Sequence, residues 1–349
     1  MSNILNGPIF FEKNRVERIY TGGALFADFF SDDSTDGYFP EEWVVSTVAA
    51  LNKNMRTPKD GVSILRGTDI YLDDFIAENK RAVLGEREEF GVLTKVLDSA
   101  IRLPVQAHPD KAFSRKHFNS DYGKAESWIV LGTRPGAALF FGFKDKISKE
   151  DFSKAVEDSK TNKEVMEPLL NKVDVKAGDV FFVPAKMMHA IGVGCLILEI
   201  QEPSDFTIQP EYFCGEYELS HKEMYIGLPK DTALDVFDYD VFGQDAVNMG
   251  RKIPKTIYEE NGVKKEALIT YEDTPCFAVT RYILSGGELV LEYKPCVYVI
   301  TEGEGEVKFD NQTLPLKKGD YFLLPYSAKE TTVSGNLTIV ACLPPRQND

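Results

Sequence analysis

Four residues along the chain could together hold a divalent metal ion. Gln106 and His108 are two residues apart in LPVQAHPDK, so an extended segment presents both on one face. Glu126 stands just ahead of the apolar run SWIVL, and His189 follows the run DVFFVPA. Two imidazoles, a carboxylate and an amide oxygen can hold a divalent cation and leave coordination positions for water or substrate. Each histidine taken alone is more often a core residue hydrogen-bonded to the backbone than a ligand.

The elements that must position these side chains are short strands. From about residue 90 the chain alternates short apolar runs with Gly, Pro and Asp, which is typical of an all-β sandwich or barrel. The charged stretch 144–172 interrupts this pattern with helical spacing. There, Ser148 and Asp151 form a capping box ahead of one helix, and a second helix is predicted around 165–170. We therefore expect a small helical insertion on a β scaffold, with a less regular connection at 216–250.

The chain also repeats a nine-residue pattern. KAGDVFFVP (176–184) and KKGDYFLLP (317–325) share a Lys-x-Gly-Asp turn, an apolar run and a proline at the same spacing. A Gly-Asp turn followed by an inward strand and a Pro-bounded loop suits a β-barrel module. The repeat predicts two related modules. In the second, Glu330 occupies the position that matches His189, so we expect no metal there.

Composition excludes several classes of protein. The 40 Lys and Arg residues against 55 Asp and Glu residues give a net charge of −15, which argues against a nucleic-acid-binding surface or a polybasic membrane patch. No apolar run approaches the roughly 20 residues needed to span a bilayer, and the amino terminus does not resemble a secretory signal. The five cysteines are widely spread without a CxxC pair, which predicts reduced thiols. We expect a soluble, cytoplasmic protein.

The motifs together resemble the cupin-type class I mannose-6-phosphate isomerases, also called phosphomannose isomerases. The matching segments are RIYTGG (18–23), EEWVVS (41–46), KVLDSAIRLPVQAHPDK (95–111), GKAESWIVL (123–131) and AGDVFFVPAKMMHAIGVGCLILEIQEPSD (177–205). The resemblance implies a mainly β fold with two cupin-type, jelly-roll β-barrel modules. The expected division is a catalytic module (1–143 and 173–215), a helical insertion (144–172), a connection (216–250) and a degenerate cupin module (251–349).

The resemblance also implies the roles of individual residues. The metal ligands are Gln106, His108, Glu126 and His189, which in the family usually hold zinc, here one divalent cation per chain. The catalytic groups are Glu199, Lys124 and Asp205. The residues that contact substrate are Lys95, Lys186, Gln209 and Tyr20.

Four positions depart from the family pattern. Gln209 stands where the family usually has an arginine, and a neutral amide cannot replace a planar, charged guanidinium. Lys186 stands where a glycine is common; it either supplies a compensating cation close to His189 or faces solvent from its loop. Pro104 replaces a serine whose hydroxyl could contact phosphate, whereas Tyr20 replaces a tryptophan and keeps an aromatic wall.

The implied activity is the interconversion of mannose 6-phosphate and fructose 6-phosphate by proton transfer through an enediol or enediolate. A bound cation would stabilise the charge on the enediolate oxygen, and lysines would meet the phosphate of a small sugar phosphate. The departures leave two alternatives open: an isomerase of a different sugar or sugar phosphate, and a catalytically silent, metal-containing, sugar-binding cupin.

Overall fold

Strands dominate the computed structural model, which describes residues 4–52 and 56–346. The outer ends of the expected modules, residues 1–3 and 347–349, lie outside these ranges. In chain order the strands are β1 (Ile9–Phe10), β2 (Arg15–Val16), β3 (Glu41–Val44), β4 (Leu93–Asp98), β5 (Glu126–Thr133), β6 (Ala138–Phe143), β7 (Leu170–Asp174), β8 (Val180–Val183), β9 (His189–Ile191), β10 (Cys195–Gln201), β11 (Phe213–Cys214), β12 (Tyr217–Glu218), β13 (Arg251–Lys252), β14 (Lys255–Glu260), β15 (Val263–Ile269), β16 (Ala278–Val290), β17 (Cys296–Phe309), β18 (Gln312–Lys317), β19 (Tyr321–Leu324) and β20 (Thr331–Leu343).

Helices are short and connect the strands. They are α1 (Ala24–Phe30), α2 (Leu72–Glu78), α3 (Lys80–Leu84), α4 (Lys111–Phe118), α5 (Lys149–Asp158), α6 (His221–Tyr225), α7 (Lys230–Leu234) and α8 (Gly243–Gly250), with 3-10 turns at Ile4–Asn6 and Glu167–Leu169. Within the described ranges, none of these helices has the length and apolar character required to cross a membrane.

Two large antiparallel sheets organise the strands. The first sheet has the order β13-β8-β5-β10-β4-β3-β2, and the second has the order β1-β19-β17-β20-β16-β15-β14 with β18 paired to β17. Two short pairings connect the amino-terminal and carboxy-terminal parts of the chain. In the second sheet β1 pairs with β19, and in the first sheet β13 pairs with β8. The mainly β prediction is therefore confirmed.

The first sheet has two buried faces with different partners, because successive side chains of a strand point to opposite sides. One face packs on the three-stranded sheet β7-β6-β9; Trp128 and Phe141, for example, meet edge to face at 6.3 Å. We call this the inner face. The opposite face packs against residues of the second sheet such as Val299 and Leu323. Burial on both faces fixes the register of the strands, since a slip of one residue would exchange the two sets of side chains.

A row of side chains crosses the inner face from strand to strand. Each member lies opposite the next on the neighbouring strand: Trp43 on β3, Lys95 on β4, Glu199 on β10, Trp128 on β5 and Phe181 on β8. Lys95 and Glu199 are thus charged residues in the middle of an otherwise aromatic row. Cross-strand neighbours of this kind lie about 5 Å from each other at their Cβ atoms, so the two charged residues are adjacent.

The predicted repeat is present as two equivalent turns. In each, the backbone N–H of the lysine donates to the aspartate carboxylate, from Lys176 to Asp179 (3.2 Å) and from Lys317 to Asp320 (2.9 Å). Gly178 and Gly319 have φ values of 91° and 89°, a left-handed conformation that glycine adopts without steric cost. Each turn leads into a buried four-residue strand, β8 or β19.

The helical stretch is shorter than expected. α5 begins after Ser148, whose hydroxyl accepts a hydrogen bond from the Asp151 backbone N–H at 3.1 Å, as the capping pattern predicts. The predicted second helix around 165–170 is wrong: the chain makes a single 3-10 turn there, with a proline in its first turn, and enters β7 at Leu170. The connection at 216–250 forms α6, α7 and α8, whose buried residues join the core of the first sheet.

Candidate metal centre and pocket

Three side chains converge at one end of the inner face. His108, Glu126 and His189 place one potential ligand atom each within 4.8 Å of one another, and all three residues are buried. Glu126 lies between the imidazoles, with its carboxylate oxygens 3.2 Å from Nε2 of His108 and 3.3 Å from Nε2 of His189. The three come from a loop, from the start of β5 and from the start of β9, so the fold joins residues that are remote in the sequence.

Backbone carbonyls orient both imidazoles. Nδ1 of His108 lies 3.0 Å from the Phe206 carbonyl oxygen, and Nδ1 of His189 lies 2.8 Å from that of Met187. A carbonyl oxygen can only accept, so Nδ1 carries the hydrogen and each Nε2 directs a lone pair at Glu126. Burial lowers the pKa of His189 to about 3 and, together with the Lys124 ammonium, lowers that of His108. Both rings are therefore neutral, which is the form that binds metals.

Gln106 is adjacent to this triad through its backbone. The N–H and carbonyl of Gln106 exchange two hydrogen bonds of 2.9 Å with those of His189. Residues that pair in this way present their side chains on the same face of the ladder. Gln106 and His108 also share a face of one extended segment. Ala107 between them forms its backbone hydrogen bonds on the other edge of the segment, with Ile208. The Gln106 amide thus lies on the same side as the three other predicted ligands.

The donor set fits a divalent cation. Nε2 of His189 is buried without a hydrogen-bond partner in the part of the chain that the structure describes. Oε2 of Glu126 is also buried there without a hydrogen-bond partner, although it forms an ion pair with Lys124 Nζ at 3.1 Å. Buried polar atoms that lack partners are costly, and a cation held by the triad would satisfy both. His, Glu and Gln are ligands common to several divalent metals.

A pair of lysines and a second carboxylate border the triad. Lys124 is buried, with Nζ 3.0 Å from Nε2 of His108. Burial would lower the pKa of Lys124, but the carboxylates of Glu126, Glu199 and Asp205 raise it above its ordinary value. Burial raises the pKa of Glu199 to about 8, with the Lys95 ammonium opposing this shift and Glu126 adding to it. Glu199 is therefore a buried carboxyl group that can exchange a proton near neutral pH.

A second charged cluster, which the sequence did not reveal, lies beside this pocket. Arg18 forms ion pairs with Glu41 at 3.1 Å and Asp205 at 3.3 Å. Glu41 also accepts a hydrogen bond of 2.8 Å from the hydroxyl of Tyr20. Lys95 reaches the same cluster, with Nζ 3.9 Å from Glu41. The strand alternation that puts Trp43 on the inner face also puts Glu41 there, and this was the available signal for Glu41.

Two predicted contact residues have other partners in the structure. The side-chain Nε2 of Gln209 donates to the carbonyl of Glu223 in α6 at 3.0 Å, and its backbone N–H donates to Met224. Its predicted contact with substrate stays a prediction. Lys186 has a φ of 75°, and its backbone N–H donates to the carbonyl of the candidate ligand His108 at 2.8 Å. A left-handed lysine costs about 1 kcal/mol relative to glycine, so Lys186 lowers the stability of this loop beside the candidate metal site.

Comparison with known proteins settles the family. The model for the type I phosphomannose isomerase catalytic domain matches residues 34–127, and that for the mannose-6-phosphate isomerase cupin domain matches residues 267–344. Mannose-6-phosphate isomerase of Streptococcus mutans is 30% identical over 338 residues, which cover 96% of this chain and 97% of the relative. The chain belongs to the type I phosphomannose isomerase family. The predicted family is therefore confirmed.

Solved phosphomannose isomerase structures share the fold. The mannose 6-phosphate isomerase of Bacillus subtilis superposes with a TM-score of 0.76 at 24% identity, covering 96% of this chain and 99% of that one. A mannose 6-phosphate isomerase bound with zinc and yttrium gives a TM-score of 0.70 at 16% identity, covering 98% and 100%. The cupin assignment and the family's dependence on a metal agree with the His108–Glu126–His189 triad.

Proposed function

We propose that this phosphomannose isomerase family member interconverts mannose 6-phosphate and fructose 6-phosphate. The observation that carries the proposal is the position of the buried His108–Glu126–His189 triad beside Lys124 and Glu199. An aldose–ketose isomerisation moves a proton between C2 and C1 and develops negative charge on the neighbouring oxygens. The pocket offers cationic groups for those oxygens and buried carboxylates for the proton.

The proposed metal ligands are His108, Glu126, His189 and the amide oxygen of Gln106. A divalent cation held there would act as a Lewis acid toward a substrate oxygen, an effect worth several kcal/mol. We propose zinc, one ion per chain, because nitrogen and oxygen ligands suit it and because a structural relative is bound with zinc. The carbonyls of Phe206 and Met187 hold the two imidazoles for this task.

We assign the proton transfer to Glu199. Its carboxyl group lies on the inner face between Lys95 and Trp128, on the strand next to the one that carries Glu126. Its neighbours in the cross-strand row are Lys95 and the aromatic ring of Trp128. Lys124 is proposed to stabilise the oxygen that gains charge, and Asp205 to keep Lys124 charged.

The phosphate must find cations in a chain of net charge −15. Lys95 and Lys124 are buried in the pocket, at 3% and 5% exposure, and their charges are the nearest to the reacting centre. Lys186 is half-buried and forms no ion pair among the described residues. We propose that Lys186 meets the phosphate at the mouth of the pocket, with Tyr20 as an aromatic wall.

The direct test is a coupled assay for fructose 6-phosphate formed from mannose 6-phosphate. Purified protein is assayed as isolated, after chelation and dialysis, and after each of zinc, manganese and cobalt is restored. We expect turnover that disappears with the chelator and returns with the metal. Metal-loaded protein that does not turn over mannose 6-phosphate would contradict the proposal; a sugar panel would then separate an isomerase of another sugar from a silent sugar-binding protein.

A pair of variants tests the assignment of the proton carrier. Glu199→Gln should abolish exchange of the substrate C2 hydrogen with solvent, while metal content stays at one ion per chain. Glu266→Gln is the matched control, because Glu266 is an equally buried carboxylate of the second sheet, paired with Lys264 and Arg281. Exchange that survives in Glu199→Gln would assign the proton to another group.

The modular division is also a proposal. The catalytic module would comprise 1–143 and 173–215 with the insertion 144–172, joined through 216–250 to a degenerate cupin at 251–349. The cross-pairing of β1 with β19 and of β13 with β8 supports modules that fold as one unit.

A further inference from the structure

Arg18 is the residue that joins the carboxylates on the far side of the pocket. Each nitrogen of its guanidinium group lies against a different oxygen: Nε is 3.1 Å from Glu41, Nη1 is 2.9 Å from Asn52, and Nη2 is 3.3 Å from Asp205. The group also lies over the ring of the buried Trp43 at 5.1 Å. All three nitrogens of this guanidinium therefore contact protein oxygens, so Arg18 is suited to holding protein groups.

The two carboxylates that Arg18 joins are themselves fixed by other elements. The second oxygen of Asp205 accepts the backbone N–H of Leu51 at 2.9 Å. Glu41 accepts hydrogen bonds from the Tyr20 hydroxyl at 2.8 Å and from the indole N–H of Trp43 at 2.7 Å. Asp205 and Arg18 are 187 residues apart in the sequence, so their contact ties β10 and its following loop to the amino-terminal segment.

Arg18 also determines what Lys95 faces. Lys95 Nζ is 3.9 Å from Glu41 and lies over the same Trp43 ring, at 4.9 Å. While Arg18 neutralises Glu41, Lys95 keeps charge that is available to an anionic ligand. Without Arg18, Glu41 would compete with the substrate for Lys95.

From this geometry we infer that Arg18 is a positioning residue: it holds Asp205 and Glu41 and thereby keeps the charge of Lys95 available to the sugar phosphate. The inference deepens the proposed function and rests on it. Lysine cannot replace Arg18, because a single ammonium group cannot contact Glu41, Asn52 and Asp205 in three directions at once.

The experiment compares Arg18→Lys with Arg15→Lys. Arg15 is the matched control, because it also pairs with two carboxylates, Asp32 and Glu42, and lies over an aromatic ring at 4.0 Å, but on the opposite face. We expect Arg18→Lys to lower kcat/KM for mannose 6-phosphate at least tenfold, mainly through KM, with unchanged metal content. Arg15→Lys should stay within about threefold of wild type. Equal losses of activity and stability in both variants would leave Arg18 with a structural role and overturn the inference.

A double-mutant cycle separates this inference from the proposed activity. Arg18→Met, Asp205→Asn and the double variant are compared by urea unfolding, which needs no turnover. We expect the two changes to be coupled by at least about tenfold in the unfolding equilibrium constant, because Asp205→Asn removes the charge that Arg18→Met leaves unpaired. Additive effects would overturn the inference even if the isomerase activity is present. Strong coupling in a protein without turnover would instead contradict the proposed substrate.

Discussion

The unfolding free energy should respond to pH through Glu41, a buried carboxylate of the pocket. Burial by itself would raise the pKa of Glu41, but Arg18 and then Lys95 hold it at about 2, with hydrogen bonds from Trp43 and Tyr20 adding to the effect. The ordinary value is 4.5. A carboxyl group whose pKa is lower in the folded state stabilises the protein above the unfolded pKa, and the stabilisation is lost as pH falls toward the folded pKa.

The magnitude follows from the two pKa values. The difference between 4.5 and about 2 corresponds to about 3 kcal/mol of stability at neutral pH. Linkage predicts that about 1 kcal/mol of this contribution is gone at pH 4 and about 2 kcal/mol at pH 3. Because Glu41 is only 5% exposed, solvent screening takes little from this estimate.

Glu42, the next residue, provides a control of opposite sign. It is 1% exposed and points to the other face of β3, where Arg15 lies 3.0 Å away and the hydroxyl of Tyr321 donates at 2.6 Å. Burial raises its pKa above the ordinary value, and the attraction of Arg15 and the hydrogen bond from Tyr321 only partly offset this. Ionised Glu42 therefore opposes folding as pH rises, and its protonation relieves this as pH falls.

The assay is urea unfolding of wild type, Glu41→Gln and Glu42→Gln at pH 7 and pH 4. Urea is uncharged and leaves the ion pairs unscreened. Wild type should exceed Glu41→Gln in stability by up to about 3 kcal/mol at pH 7, and this gap should narrow by about 1 kcal/mol at pH 4. Relative to Glu42→Gln, wild type should become more stable as the pH falls from 7 to 4. A constant gap for Glu41→Gln, or the same pH trend in both variants, would refute the reasoning.

Three further predictions concern the pocket. His189→Ala should lose the bound metal by elemental analysis, whereas the exposed His221→Ala should retain it, and stoichiometric metal in the first variant would refute the ligand assignment. Lys186→Gly should raise the unfolding free energy by about 1 kcal/mol, because φ is 75°, and should cut turnover at least about tenfold; unchanged kinetics would remove Lys186 from the mechanism. Gln209→Ala should lower the unfolding free energy by about 1 kcal/mol through the lost bond to Glu223 and should raise KM more than about threefold; a KM within about threefold of wild type would contradict the predicted substrate contact.

Local geometry related Gln106 to His108, whereas the family resemblance added Glu126 and His189 to the predicted ligand set. Gln106 and His108 share a face in any extended segment, and the structure keeps that segment extended by pairing it on both sides. The turns at 176–179 and 317–320 could also be predicted from local sequence, because the Lys-x-Gly-Asp pattern forms the same backbone-to-aspartate hydrogen bond in both. Family resemblance then supplied the roles of Lys124 and Glu199, which no local pattern assigns.

The predicted second helix failed because Val165, Met166, Leu169 and Leu170 have the apolar spacing of a helix in a segment that the tertiary structure uses otherwise. Leu170 begins β7, which pairs with β6. Hydrogen bonding to a neighbouring strand overrides a weak helical preference over so few residues.

Only the tertiary structure revealed the cluster of Arg18, Glu41 and Asp205. Its ion pairs join β3, the segment after β2 and the loop after β10, and no local pattern in the sequence indicates that Arg18 and Glu41 meet Asp205. The sequence determined which side chains can bind a metal and which strands alternate. Which charges meet across the sheet was decided by strand order and register, because those depend on contacts between residues that are far apart in the chain.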